Sequence, residues 1–205
     1  MVRVDRRLIA IVATGGLVVA TILVIVFVAI IPVPEYPALQ PGRQSGYVAY
    51  QVGDNDRTQS VKIMDLETLT PISVAVGDGV EIVGWHSDGS LLIHDWRAGD
   101  AYMRIDATTG EQIEILDSLP ADFSYETEAF VYNEGGMVVI ELPIGTATFP
   151  APESYDIRSA VALGDDHIVI VDELGRVAVT NVGNDANPLL VASDAVEWSR
   201  VVARP

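Results

Sequence analysis

Three histidines are the side chains of this sequence best suited to chemistry near neutral pH. His86 and His94 flank one turn, with Asp88 and Asp95 close by, and His167 follows Asp165 and Asp166. Imidazole and carboxylate are zinc-ligand types, but a metal centre needs three or four converging ligands and a supporting shell. Two imidazoles on one hairpin fall short of that count, so these residues are read as polar positions beside turns. Nucleophilic hydrolysis needs a serine on an exposed elbow next to a base. The chain has no G-x-S-x-G and no S-x-x-K, and Ser87 beside His86 carries no specificity, because triad partners meet in space. The acidic clusters are Asp54-Asn55-Asp56, Glu126-Thr127-Glu128 and Asp165-Asp166. An EF-hand loop starting at Asp54 would have Asp56 and Thr58 at its third and fifth positions, but Gln59 stands where glycine is required. No glycine-rich loop opens a helix, which disfavours a nucleotide site. Trp85, Trp96 and Trp198 are candidate binding anchors, but Trp85 and Trp198 fall on expected inner strands and are read as packing residues first, given the area a buried tryptophan covers. No catalytic, cofactor-binding or metal-ligating residue is assigned, no cofactor is expected, and the chain is read as not an enzyme.

Composition narrows the classes further. The chain has no cysteine, which excludes disulfides, thiolate metal sites, cysteine nucleophiles and C-x-x-C-H haem attachment. Formal net charge is −17 over 205 residues. Asp5 is the only acid among residues 1–32, and Arg3, Arg6 and Arg7 are the only bases there. Of 29 acids and 12 bases, residues 33–205 therefore keep 28 and 9, a net of −19. Such a domain repels nucleic acid and anionic headgroups, stays soluble, and attracts cationic proteins. Only Lys62 is a lysine; with the abundant Ala and Val, this points to a high-GC bacterial genome.

The elements that carry these residues divide sharply. Residues 8–31 form a 24-residue run without a charge. At about 1.5 Å per residue, a helix of that length crosses a hydrocarbon core of about 30 Å. The run exceeds a signal-peptide apolar region and ends in Ile31-Pro32-Val33-Pro34 where a small-x-small cleavage site would stand. An uncleaved single-pass anchor is expected over 8–32. Arg3, Arg6 and Arg7 place a cytoplasmic tail at 1–7 and export the rest. Gly15-Gly16 allows close approach of another helix, without a G-x-x-x-G. Residues 33–45 are read as a stiff proline-rich linker, with Tyr36 at the bilayer interface.

From residue 46 to 205 the pattern is strand-like, with apolar runs or alternation broken by Gly, Asp, Asn and Pro. Strands are expected at 46–52, 61–64, 72–76, 80–85, 91–96, 102–105, 112–116, 129–132, 137–142, 159–163, 167–171, 177–180, 189–192 and 196–202. Internal repeats appear. VGWHSDGSLLIHD from Val83 aligns without gaps to FVYNEGGMVVIEL from Phe130 and AVALGDDHIVIVD from Ala160. YMRIDATTGEQIEIL from Tyr102 aligns to VKIMDLETLTPISVA from Val61, and VAVTNVGNDANPLLVA from Val177 is a looser copy. Asp65 and Asp106 are 41 residues apart, and Asp106 and Asn181 are 75 apart. This period, with the D-x-x-T-G at Asp106–Gly110, resembles the blades of WD40 and quinoprotein-type β-propellers. The resemblance implies a small propeller of about four blades, or an incomplete one, with the 196–202 strand completing the unit begun at 46–52. An irregular β-sandwich is the alternative fold.

The layout of one helix plus an exported domain is similar to that of accessory subunits in actinobacterial respiratory supercomplexes. It implies a non-catalytic interaction subunit of a bacterial membrane complex, of the cytochrome bc–oxidase kind. Its partners would be integral membrane subunits and, by charge, cationic proteins. The alternatives are an envelope ligand-binding or sensor domain and, on the His86, His94, Asp88 and Asp95 group alone, a metal-dependent hydrolase.

Overall fold

The structure is a computed structural model that describes residues 34–54, 57–75, 79–97, 99–121, 123, 129–152, 154–196 and 199–205. The expected tail 1–7 and transmembrane helix 8–32 lie outside the described residues, as do Asn55, Asp56, the 126–128 cluster and Trp198. The chain divides into two compact units, Met1–Pro34 and Glu35–Pro205, and the second carries every described strand.

Among the described residues this unit is all β. The strands are β1 Tyr47–Asp54, β2 Arg57–Asp65, β3 Thr70–Ala75, β4 Val80–Trp85, β5 Leu91–Asp95, β6 Ala101–Ile105, β7 Gln112–Leu116 and β8 Phe130–Glu134. They continue as β9 Met137–Leu142, β10 Gly145–Pro150, β11 Ile157–Leu163, β12 His167–Asp172, β13 Val177–Asn181, β14 Leu189–Ala192 and β15 Val202–Arg204. These strands pair antiparallel, in four separate sheets: β15-β1-β2-β3, β4-β5-β6-β7, β10-β9-β8 and β11-β12-β13-β14. Both repeat frames fall on hairpins: the first on β4–β5, β8–β9 and β11–β12, the second on β2–β3, β6–β7 and β13–β14. The chain ends share one sheet, with Tyr47 opposite Arg204 and Ala49 opposite Val202.

Turn chemistry explains the second frame. The Asp106 carboxylate accepts the Thr108 and Thr109 backbone N–H at 2.7 and 2.9 Å, and Gly110 N–H closes on the Asp106 carbonyl at 2.9 Å. Gly110 has φ +73, and a Cβ there would sit 2.6 Å from the Ile72 methyl, so glycine is required twice over. At the aligned turn Asp65 caps Glu67 in the same way, yet Leu69 takes φ +55 where Gly110 stands. That conformation costs a leucine about 1–2 kcal/mol. Its side chain offsets this by packing on the cluster around Leu66.

Strand alternation assigns the cores. In β12, Ile168 and Ile170 face one cluster while Val169 and Val171 face another. In β1, Val48 and Tyr50 face the second cluster and Ala49 faces a third. These strands are buried on both faces, which is why they read as unbroken apolar runs. The first cluster joins the β8–β10 and β11–β14 sheets, the second joins β11–β14 to the β1 sheet, and the third joins the β1 sheet to β4–β7. Among the described residues no such cluster joins β4–β7 to β8–β10.

This corrects the expectation of a propeller. The four sheets are separate, none is closed on itself, the third has three strands, and among the described residues no core completes a ring of packed blades. The arrangement fits the β-sandwich alternative. The third repeat departs because residues 143–150 lack an apolar run, yet Gly145–Pro150 forms β10, a strand not among those expected, with Ala147 and Phe149 buried at alternate positions. Its outer edge is covered by the loop after β13, through Thr148 N–H to the Gly183 carbonyl at 3.0 Å and Gly183 N–H to the Thr146 carbonyl at 2.8 Å. An edge position also tolerates Pro150.

The proline-rich segment does not stand clear of the domain beyond Glu35. Tyr36 and Leu39 are 9% and 4% exposed, and Leu39 and Pro37 exchange backbone hydrogen bonds with Leu190 at 2.8 and 2.7 Å. Tyr36 therefore packs in a protein core, against Phe149 and beneath the Arg176 guanidinium, which lies 4.3 Å from its ring. Tyr155 gives its proton to Asp172 at 2.6 Å, so Tyr36 must donate to Tyr155. Burial, ahead of every other cause, pushes the Tyr36 hydroxyl up to about 12 from 10.0.

Two measurements follow. A chain starting at Glu35 should unfold cooperatively, while one starting at Gly46 loses the buried Tyr36 and Leu39. At roughly 2–5 kcal/mol per large side chain, its melting temperature should fall by about 10 °C or more. A raised tyrosine pKa favours the neutral form in the folded state. Its stabilisation is whole below pH 10.0 and is lost as pH rises to about 12. Tyr36→Phe should shrink that alkaline loss in a urea titration at each pH.

Candidate functional site

The histidine group separates in space. β4 and β5 pair with Glu81 opposite His94 and Trp85 opposite Leu91, so His86 and His94 sit at opposite ends of the hairpin. His86 Nδ1 meets Asp88 at 2.9 Å, and His94 Nε2 meets Asp100 at 2.6 Å while its ring stacks on Tyr102 at 4.5 Å. His167 Nδ1 meets Asp166 at 2.6 Å. Among the described residues no three His, Asp or Glu side chains converge as metal ligands would. Asp88 is committed to the turn. Its carboxylate takes the Ser90 hydroxyl at 2.7 Å and the Ser90 N–H at 3.0 Å, then His86 and Arg104, and this holds its pKa well below the usual carboxylate range. Asp106 is lowered in the same way, by the Thr108 hydroxyl and then by the backbone N–H groups of its turn. These acids shape turns and are not spare ligands.

The tryptophans part company. Trp85 is half-buried beside the third cluster, 6.5 Å from the Tyr47 ring and 5.2 Å from the Arg204 guanidinium. Trp96 is exposed, with Arg97 over its ring at 4.9 Å.

Two features were not singled out from sequence. The first is the exposed apolar edge of β7, the outermost strand of its sheet. Ile113 and Ile115, on one face of β7, are 51% and 58% exposed, and Phe130 on β8 is 66% exposed. Both β7 and β8 are edge strands of their sheets. Glu111 and Asp117 flank the two isoleucines along β7, Glu114 between them pairs with Arg104 at 2.8 Å, and on β9 Glu141 accepts the Tyr132 hydroxyl at 3.0 Å beside Phe130. The exposed alternation of Ile113 and Ile115 was visible in the sequence. What hid its meaning is that it reads like any half-buried strand.

The second is a cavity of about 330 Å³ to which all four sheets contribute. Glu81 comes from β4, Val131 from β8, Arg158 and Ser159 from β11, and Ser199 and Arg200 from the segment that enters β15. β4, β8, β11 and β15 are each the edge of their sheet, so the cavity is where four edges meet. Ser159 Oγ ties β11 to the entry of β15 by accepting Val201 N–H at 3.3 Å, and Ser199 Oγ holds that entry to β1 by accepting Gln51 N–H at 2.8 Å. Arg158 pairs with Asp156 at 2.7 Å. A residue from each of four distant segments lines this space, so no local motif marks it.

No known family model matches the chain, and no curated protein is detectably similar to it.

A zinc titration checks the separated histidines. Added zinc should give no rise in melting temperature that a His86→Asn, His94→Asn double variant removes.

Proposed function

We propose that this chain is a non-catalytic interaction subunit of a bacterial membrane complex, which offers the outer edge of β7 to a cationic partner segment. The observation that carries the reading is that edge itself. Monomeric proteins guard an edge strand with lysine, proline or a covering loop. β7 has instead two exposed isoleucines between carboxylates, and among the described residues no strand pairs with its outer edge. An extended segment with apolar side chains at alternate positions and Lys or Arg between them matches it. Its backbone would add to the sheet, its apolar side chains would cover Ile113 and Ile115, and its bases would meet Glu111 and Asp117. The excess of 28 acids over 9 bases in residues 33–205 steers such a partner toward the domain before contact.

The uncharged run at 8–31 supports a membrane location with the domain on the outer face. Layout alone makes a cytochrome bc–oxidase assembly the first complex to examine.

The test is extraction in mild detergent with a tag following the exposed Pro205, then identification of what co-purifies. A stoichiometric set of integral membrane proteins is expected, and it should be lost from an Ile113→Thr, Ile115→Thr variant. Threonine keeps strand propensity at exposed positions, so folding should change by less than about 1 kcal/mol. Recovery of the 22.0 kDa chain alone, or of an unchanged partner set with the double variant, overturns the proposal.

A further inference from the structure

We propose that the cavity between the four sheet edges binds a small oxyanion, a carboxylate or phosphate, between Arg158 and Arg200. Bases are scarce in this domain, 9 against 28 acids, yet two of them line this one space of about 330 Å³. That volume lies at the lower end of the range for small-molecule sites. A guanidinium presents several N–H donors in a planar fork, so the pairing of Arg158 with Asp156 at 2.7 Å orients the head group and leaves further donors for a ligand. The Arg200 position is fixed by its own backbone N–H, held by the Gln51 side chain at 3.3 Å, and by the adjoining Ser199, which is 1% exposed. The two serine hydroxyls hold the walls at a set separation through their backbone partners. One arm of the site is therefore built on a strand, β11, and the other on the tethered segment that enters β15, which lowers the ordering cost of binding.

Glu81 gives the proposal its sharpest consequence. It is the acid that lines the same cavity, and a carboxylate facing a bound oxyanion opposes it. The site is weak for anions while Glu81 is charged, and neutralising Glu81 must strengthen it. A site for a cation or an amine-bearing ligand would respond in the opposite sense.

The experiment is calorimetric titration of the full chain in detergent with citrate and, separately, with inorganic phosphate, both at fixed ionic strength. Saturable binding of at least one is expected, and comparison of the two arms tells carboxylate from phosphate recognition. Arg158→Gln and Arg200→Gln should each weaken binding by tenfold or more, and Glu81→Gln should tighten it several-fold. Arg158 is 44% exposed, so its variant tests the site without disturbing a core, and the melting temperature confirms folding. Absence of saturable binding by the native chain, indifference of binding to Arg158→Gln, or weakening by Glu81→Gln each overturns the proposal. None of these outcomes bears on the β7 edge, whose variants are distinct.

Discussion

A carboxylate shut away from water must be answered from several sides, and the arrangement around Asp172 is organised by that demand. Asp172 is 0% exposed at the end of β12. It accepts the N–H groups of Leu174 and Arg176 at 2.9 and 3.0 Å, the Arg176 Nε at 2.6 Å and the Tyr155 hydroxyl at 2.6 Å. Through Tyr155 it reaches Tyr36, more than a hundred residues earlier in the chain. One charge thus fixes the β12–β13 turn, the approach to β11 and the entry of the polypeptide into the domain. Removing one partner of a buried pair typically costs about 3–5 kcal/mol, because the other is stranded. Such a pair adds little over an apolar replacement, but it specifies geometry, since only one placement of Tyr36, Tyr155 and Arg176 satisfies it.

The cores show why much of this fold was legible in the sequence. Strands such as β12 and β5 carry unbroken apolar runs because both faces are covered, and turns carry Asp or Gly where caps and positive φ are needed. Both repeat frames therefore fall on real hairpins. What periodicity does not encode is how hairpins associate. β10 has no apolar run, because Thr146 and Thr148 owe their place to a loop that arrives from beyond β13. Tyr36 looked like an interfacial residue because its neighbours are prolines. Its burial depends on Asp172 and Arg176, which no local window contains. The ring implied by the repeats gives way to four separate sheets, and among the described residues no core cluster joins β4–β7 to β8–β10.

The candidate sites were less legible for the same reason. His86 and His94 are close in sequence and far apart on the hairpin, since a residue pair flanking a turn stays together only if it is in register. Arg158 and Arg200 are distant in sequence and line one space. Charge behaves likewise. A net of −19 over residues 33–205 is a statement about the long-range field, whereas the acids at Asp88, Asp106 and Asp172 are consumed by turns and pairs. The carboxylates that remain to act on a partner are those that no turn uses, and Glu111 and Asp117 beside Ile113 and Ile115 belong to this class.

The pairing of β1 with β15 has a consequence for biosynthesis. β1 is among the first segments of the domain to emerge from the ribosome, and its outer partner is among the last, about 150 residues later. At roughly 5–20 residues per second, that strand edge and the apolar faces of Val48 and Ala49 wait on the order of ten seconds or more for completion. During that interval the sheet has an open flank prone to mispairing. A holding factor, or export of the chain while still unfolded, would bridge the delay. The same wait makes residues 199–204 a checkpoint: a chain cut short there lacks both the outer strand of its first sheet and one wall of the shared cavity.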